Sequence, residues 1–241
     1  MRRGHYLVIS LLLVASAVYT VGCSIGRDQE IEIGREASQQ VEKQYPVNKD
    51  PQLNELVNDI GQNLVKYTTR QGIDYTFKIL DVKEVNAFSL PGGWIYINKG
   101  LIDATRNSRD QLAGVIAHEI AHVDARHHAE QIEDQMRVNI LIATLTKGDV
   151  QTIAGVLADL RSLRWSRKQE YEADRLGIKY MFQSGAYDPQ GLINFFNTLL
   201  QMEGRQPSEF EQIFRTHPVT SERIVRGQQY LDDLKAGRAD P

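Results

Sequence analysis

The sequence predicts an α+β domain that is mostly helical, with one small sheet in its first half. Three observations point there. Three short runs rich in aromatic and β-branched residues fall close together, at 75–80, 85–90 and 94–98. The chain on either side of them reads as helices. Within the longest helical stretch, Asp110 to Glu130, with no Pro or Gly after Gly114, lies His118-Glu119-Ile120-Ala121-His122, an H-E-x-x-H box.

The elements follow in order. Gly26 to Tyr45 is charged and helix-permissive, with Ile31, Ile33 and Val41 as sparse apolar positions, and Pro46 ends it. A second helix opens at Asp50-Pro51, the first as N-cap and the second at the first helical position. It carries Leu53, Leu56, Val57, Ile60, Leu64 and Val65 on one face. Tyr75 to Leu80 alternates like a strand, Val85 to Leu90 is a short second strand, and Pro91-Gly92-Gly93 is a turn. Trp94 to Asn98 is the third strand. From Gly100 onward the chain turns helical. After the H-E-x-x-H helix, further helices are expected at about 133–146, 150–163, 167–184, 189–203 and 219–234. Helices, then a sheet, then helices is the order of an α+β domain.

The chain has 241 residues, and the first 22 read as a targeting segment. Arg2 and Arg3 form a basic start, Tyr6 to Val21 is uncharged and mostly apolar, and the only cysteine, Cys23, follows Gly22. Thr20-Val21-Gly22-Cys23 resembles the lipobox of a bacterial lipoprotein, with Thr20 in place of the usual Leu. That resemblance implies cleavage before Cys23 and lipid attachment there, an anchor of two or more acyl chains. Ser24, rather than Asp, after Cys23 would direct such a lipoprotein to the outer membrane. A lone cysteine also excludes an internal disulfide. Without residues 1–22 the chain keeps 219 residues, with 26 basic against 31 acidic side chains, a net charge of −5. Such a balance points away from nucleic-acid binding. The size allows one domain, 23–241, with a proper core. The apolar run 139–145 is too short to span a bilayer.

On a helix, residues four apart share a face, so the His118 and His122 imidazoles can reach one metal ion. Glu119 is turned by about 100° and can hold a water on that ion. Two neutral imidazoles and a carboxylate suit zinc-assisted hydrolysis, which needs a third protein ligand and an open position. The third ligand is expected in Ser166-Arg167-Lys168-Gln169-Glu170-Tyr171-Glu172-Ala173-Asp174. There Glu170 and Asp174 share a helix face, while Glu172 points about 200° away from Glu170. Periodicity leaves Glu170 and Glu172 open. His128 stands where a longer box, H-E-x-x-H-x-x-G-x-x-H, places a third His, but Ala125 replaces the helix-breaking Gly. A continued helix would carry His128 about 9 Å past His122. The same reasoning excludes His127. Both are expected to cap or lie exposed on the late part of the helix.

His118 to His127, then 166–174, then Thr216 to Arg223 (THPVTSER), with Asn86-Ala87-Phe88 and Pro91-Gly92-Gly93 ahead of a strand, resemble the zinc peptidases related to HtpX and the CAAX prenyl proteases. These are gluzincins, and the likeness is to their soluble bacterial periplasmic or lipoprotein members. It covers roughly residues 27–235. It implies a zincin-like core with a small mixed sheet and one Zn2+ per chain, held by His118, His122 and Glu170. Glu119 would be the general base and Asp174 the acid supporting a ligand His. His217 and Arg223 would face the metal. His217 would either stabilise the oxyanion or sit on the zinc as a fourth ligand, holding the enzyme latent; the sequence leaves both open. With the chain ending at Pro241, no room is expected for the helical-repeat domain some relatives carry.

The expected activity is endopeptidase cleavage of misfolded or unfolded cell-envelope proteins. Trp94 to Asn98 is expected to be the edge strand beside the cleft. Asn86, Ala87, Trp94 and Tyr96 would contact an extended substrate by strand addition. Residues 131–165 would form a helical hairpin turning at Gly148-Asp149, or a lid. Two other functions compete with this one: a zinc-stabilised binding module with a closed site, and a structural lipoprotein without metal.

Overall fold

The second helix starts where the sequence places it. The Asp50 carboxylate accepts from the backbone N–H groups of Gln52 and Leu53, and Pro51 fills the first position. The structure, a computed structural model, describes residues 24–70, 72–105, 108–146, 164–202 and 207–240. The elements are α1 (Arg27–Gln44), α2 (Pro51–Leu64), β1 (Thr76–Leu80), β2 (Ala87–Ser89), β3 (Trp94–Asn98) and α3 (Lys99–Thr105). They continue with α4 (Arg109–Asp124), α5 (His127–Thr146), α6 (Arg167–Ser184), α7 (Gln190–Met202), α8 (Pro207–Thr216) and α9 (Ser221–Lys235). The expected signal segment, Cys23, the 150–163 helix and the Gly148-Asp149 turn lie outside the described residues. No helix among the described residues is long and apolar enough to cross a membrane.

The strands form one mixed sheet in the order β1-β3-β2, with β3 parallel to β1 and antiparallel to β2. This corrects one expectation: Trp94–Asn98 is the central strand, hydrogen-bonded on both sides, and cannot accept an added chain. Among the described residues, the free edge on the side of α4 belongs to β2. Successive strand residues face opposite ways. Phe77, Ile79, Ala87, Ile95 and Ile97 enter the main core with α2, α4, α6 and α7. Leu80, Phe88 and Tyr96 enter a second cluster beneath α1, with Ile33, Ala37 and Val41. The Tyr96 hydroxyl donates to Glu42 Oε1 at 2.8 Å, and Trp94 packs at the same α1 face. Neither is placed to meet a substrate beside α4. Helix α1 lies so close to the Pro91–Gly93 turn that a Cβ on Gly34 would sit 1.7 Å from the Pro91 carbonyl oxygen.

Helix α4 is the centre of the fold. Every residue from Leu112 to Asp124 is buried, against α6, α7, α2 and β2. Ser108 caps its start by accepting from the Gln111 N–H. Its far end departs from expectation. The helix stops at Asp124, and Arg126 takes a left-handed backbone, φ 60°. That conformation is disfavoured for a residue with a Cβ. It is held by Arg126 donating to the Ile25 carbonyl and to the buried Glu30 carboxylate, which also accepts two bonds from Arg70. Asp124 anchors the same corner by accepting from the Thr69 and Arg70 N–H groups and from the Tyr180 hydroxyl at 2.6 Å. The chain therefore turns after α4 and starts α5 in a new direction. Helix α8, which the sequence reading passed over, carries Phe210 and Ile213 into the core.

Candidate metal centre

Four side chains converge where α4 meets α6 and the end of α8. His118 and His122 project from one face of α4, as their spacing requires. Helix α6 brings Glu170. Ser166 and Gln169 form a reciprocal capping box at its start, so Glu170 falls in the first turn, one turn ahead of Asp174. Glu172 points away from the cluster, with a side chain 44% exposed, whereas Glu170 lies within it. A close approach makes the meeting feasible: a Cβ on Gly177 would lie 3.2 Å from the His118 backbone nitrogen. His217 follows α8 and is stopped there by Pro218.

The donor atoms face one another. His118 Nε2 is 3.1 Å from His122 Nε2 and 3.3 Å from His217 Nδ1. Glu170 Oε1 is 3.0 Å from His217 Nδ1, 3.4 Å from His122 Nε2 and 3.9 Å from His118 Nε2. All four residues are buried, none more than 6% exposed. Three imidazole nitrogens and a carboxylate oxygen so arranged could hold a metal ion. The spacing fits zinc. Ligand bonds of about 2.0–2.1 Å in a tetrahedron put donor atoms about 3.3–3.4 Å apart. His217 Nδ1 lies among these donor atoms.

Around this set the remaining side chains divide the supporting work. Asp174 Oδ1 lies 2.9 Å from His118 Nδ1, a close charge contact without hydrogen-bond geometry. Arg223 donates from Nε and Nη2 to Asp174 at 2.8 and 2.7 Å and forms an ion pair with Glu170 Oε2. It also donates to the Pro218 carbonyl and lies 4.4 Å over the Phe196 ring. Its donors are committed to carboxylates behind the ligands, so a direct role on an oxyanion is not what this geometry provides. Glu119 faces the cluster from the other side. Its Oε2 accepts from Ser89 Oγ at 2.9 Å, and its Oε1 lies 3.5 Å from His217 Nε2.

Electrostatics follow the burial. Burial alone would raise the Glu170 carboxyl, but Arg223, His217 and His122 together hold it well below the usual carboxylate range. Burial alone would lower His217, but Glu170 and Glu119 raise it above the ordinary imidazole value. Burial takes His122 well below that value and keeps it neutral, as a ligand must be.

Ala87, on the edge strand, lines a narrow apolar cavity with His118, Glu119, Val115, Phe195 and Ile213. The β2–β3 ladder uses the Asn86 carbonyl and the Leu90 N–H, so the main-chain groups of residues 87 and 89 turn outward. The Asn86 side chain is fully buried beside them, and its amide has no hydrogen-bond partner among the described residues.

His127 and His128 are corrected as well. The break after α4 brings both back against the site, and both are buried. His127 Nδ1 lies 2.9 Å from His122 Nδ1, and His128 Nε2 donates to the Ser89 carbonyl at 2.9 Å. Burial pushes His128 down to about 3, so it stays a neutral donor. Trp165 stacks on His122 at 4.3 Å between ring centroids and meets His128 edge-on at 4.8 Å. Sequence reasoning missed Trp165 and Ser89. An aromatic residue directly before the Ser166 cap was the one available signal for the first. Nothing in the sequence pointed to the second.

Comparison with known proteins places these features in a lineage. The profile of peptidase family M48 matches residues 49–229. The chain is 30% identical over 229 residues to the beta-barrel assembly-enhancing protease of Escherichia coli, covering 90% of this chain and 46% of that relative. It is 29% identical over 202 residues to the metalloprotease LoiP of the same organism, covering 79% and 75%. It is 25% identical over 222 residues to the mitochondrial metalloendopeptidase OMA1 of Schizosaccharomyces pombe, covering 89% and 64%. The chain spans about half the length of the first of these relatives.

Proposed function

The chain belongs to peptidase family M48, and on that footing we propose that it is a zinc metalloendopeptidase that cuts misfolded or unfolded proteins of the cell envelope. The observation that carries this reading is the convergence of His118, His122 and Glu170 with the Glu119 carboxylate beside them. A purely structural zinc site has no use for a base at that position. Zinc held by those three side chains would supply a Lewis acid that lowers the pKa of water and polarises a peptide carbonyl. Glu119 takes the proton of the attacking water and passes it to the leaving amine. The Ser89 hydroxyl holds Glu119 Oε2, which leaves Oε1 for the proton. Arg223 and Asp174 act through the ligands, fixing Glu170 and His118. The substrate lies along β2, at Asn86 and Ala87.

His217 among the donors supports a latent form of this enzyme. Structural zinc sites are closed and catalytic ones keep an opening. A binding module whose zinc is permanently enclosed is the competing reading, and His217→Ala separates the two. We place residues 1–22 as a signal, 23–241 as one domain, and the protein on the periplasmic side of the outer membrane, anchored through lipid on Cys23. The named activity of the Escherichia coli relative supports envelope proteins as substrates.

The test pairs zinc content with casein cleavage for the purified full chain and for Glu119→Gln. One zinc in each, with chelator-sensitive cleavage only in the wild type, is the expected result. Removing such a general base should cost about 10²–10⁴ in rate. Zinc in both with cleavage by neither, persisting in His217→Ala, would leave the binding module as the better account.

A further inference from the structure

A histidine presents Nε2 to a metal only when Nδ1 carries the proton, and a buried Nδ1–H needs an acceptor. For His118 the nearest carboxylate is Asp174, 2.9 Å from Nδ1. For His122, which is fully buried and stacked under Trp165, the group 2.9 Å from Nδ1 is His127 Nδ1. Two facing ring nitrogens share one proton. If His122 is to offer its Nε2 lone pair to the cluster, the shared proton sits on His122 and His127 Nδ1 accepts it. His127 must then carry its own proton on Nε2, which faces Glu172 Oε2 at 3.7 Å. Each carboxylate of α6 past the ligand therefore has a use. Asp174 lies against one ligand histidine directly, and Glu172, 3.7 Å from His127, reaches the other only through a second imidazole and as a charge contact.

We propose that His127 is a positioning residue that fixes the tautomer and ring orientation of His122 as a zinc ligand, with Glu172 orienting His127 in turn. The inference rests on the reading of His118, His122 and Glu170 as zinc ligands. It depends on the break at Ala125–Arg126, because a continuous helix would have carried His127 away from His122. It also gives the buried His127 a task that the hydrolytic mechanism does not otherwise assign.

The test is zinc affinity of the purified full chain, measured by competition with a chromogenic chelator, with no activity readout needed. His127→Ala should weaken zinc binding about 10–100-fold, the usual consequence of removing a partner of a ligand histidine. His127→Asn should recover most of that loss, because Asn Oδ1 can stand where Nδ1 stands and accept the same proton. Glu172→Gln should weaken binding less than His127→Ala. A downfield, exchange-protected side-chain N–H proton of His122 should appear in the NMR spectrum of the zinc-loaded wild type and be absent in His127→Ala. Equal helicity and melting temperature of the metal-free forms establish that the comparison is between folded proteins. Should His127→Ala not fold, His127→Asn against Glu172→Gln and the NMR signal still decide. Zinc bound by His127→Ala within twofold of the wild type, or by His127→Asn no better than by His127→Ala, overturns the inference. No zinc bound by the wild type would instead overturn the ligand reading on which it stands.

Discussion

Arg223→Met is the most informative stability experiment on this molecule. The substitution keeps an apolar stem of similar length and removes only the charge. It leaves the Asp174 and Glu170 carboxylates, 3% and 2% exposed, without their cation. Removing one partner of a buried ion pair costs about 3–5 kcal/mol, because the remaining charge stays desolvated. For a domain of this size about 2–4 °C of melting temperature accompany each kcal/mol, so the metal-free variant should melt roughly 6–20 °C lower. The pH dependence has a definite sign. Glu170 is held below its ordinary value in the wild type, so its contribution is present above the unfolded value and is lost as pH falls through the folded one. Without Arg223 that carboxyl rises and takes up a proton earlier. The gap between variant and wild type should be widest near pH 7 and should narrow on acidification. Circular dichroism melts in chelator, from pH 7 downwards, measure both quantities. Arg223→Met with Asp174→Asn should recover part of the loss. A variant melting within 2 °C of the wild type, or a gap that stays constant with pH, would refute the argument that Arg223 neutralises buried acids.

Other outcomes follow from the same geometry. His217 is raised by Glu170 and Glu119, so in the metal-free protein its stabilisation is present below about 6.5 and disappears as pH rises through its folded value. Melting temperature in chelator should fall as the buffer is taken from pH 6 to 9, and His217→Gln should flatten that slope. Ser89→Ala removes the hydroxyl from Glu119 Oε2. A bond to a charged group is worth about 1.5–3 kcal/mol, so kcat should drop about tenfold or more while zinc content holds, and Ser89→Thr should restore it. Gly177→Ala would press α6 off α4 at the His118 backbone, costing about 1–3 kcal/mol. The same change should weaken zinc binding, because Glu170 rides on that helix; an unaltered affinity would show that the approach is slack.

What could be read in advance was local. The His118 and His122 face, the Asp50-Pro51 start and the Glu170–Asp174 pair are consequences of helical geometry over four residues, which the sequence states directly. Strand order was not legible. Trp94 to Asn98 has the same alternating pattern whether it lies at an edge or in the middle, and only the crossover through β2 decides. The break after Asp124 was hidden for another reason. No Gly or Pro marks it, since Arg126 is held left-handed by Glu30 and the Ile25 carbonyl, about a hundred residues earlier in the chain. That one error displaced two histidines from the site. Helix α8 was legible: Phe210, Ile213 and Phe214 recur at helical spacing and were passed over.

On the proposed placement of substrate along β2, the shortness of that strand has a kinetic consequence. With the Ser89 carbonyl engaged by His128, the outward groups left on this strand among the described residues are the Ala87 N–H and C=O and the Ser89 N–H. Three main-chain bonds at about 1 kcal/mol each give an affinity weaker than about 1 mM. With association near 10⁶ M⁻¹s⁻¹, a polypeptide held by this edge alone departs within about a millisecond. Typical turnover takes about 1–1000 ms. Most encounters therefore end before a bond is cut. A protein that folds promptly withdraws its chain after a few visits, whereas one that stalls returns until a visit succeeds. With substrate along β2 as proposed, the edge strand would act as a timer, selecting by how long a chain stays open and not by what it spells.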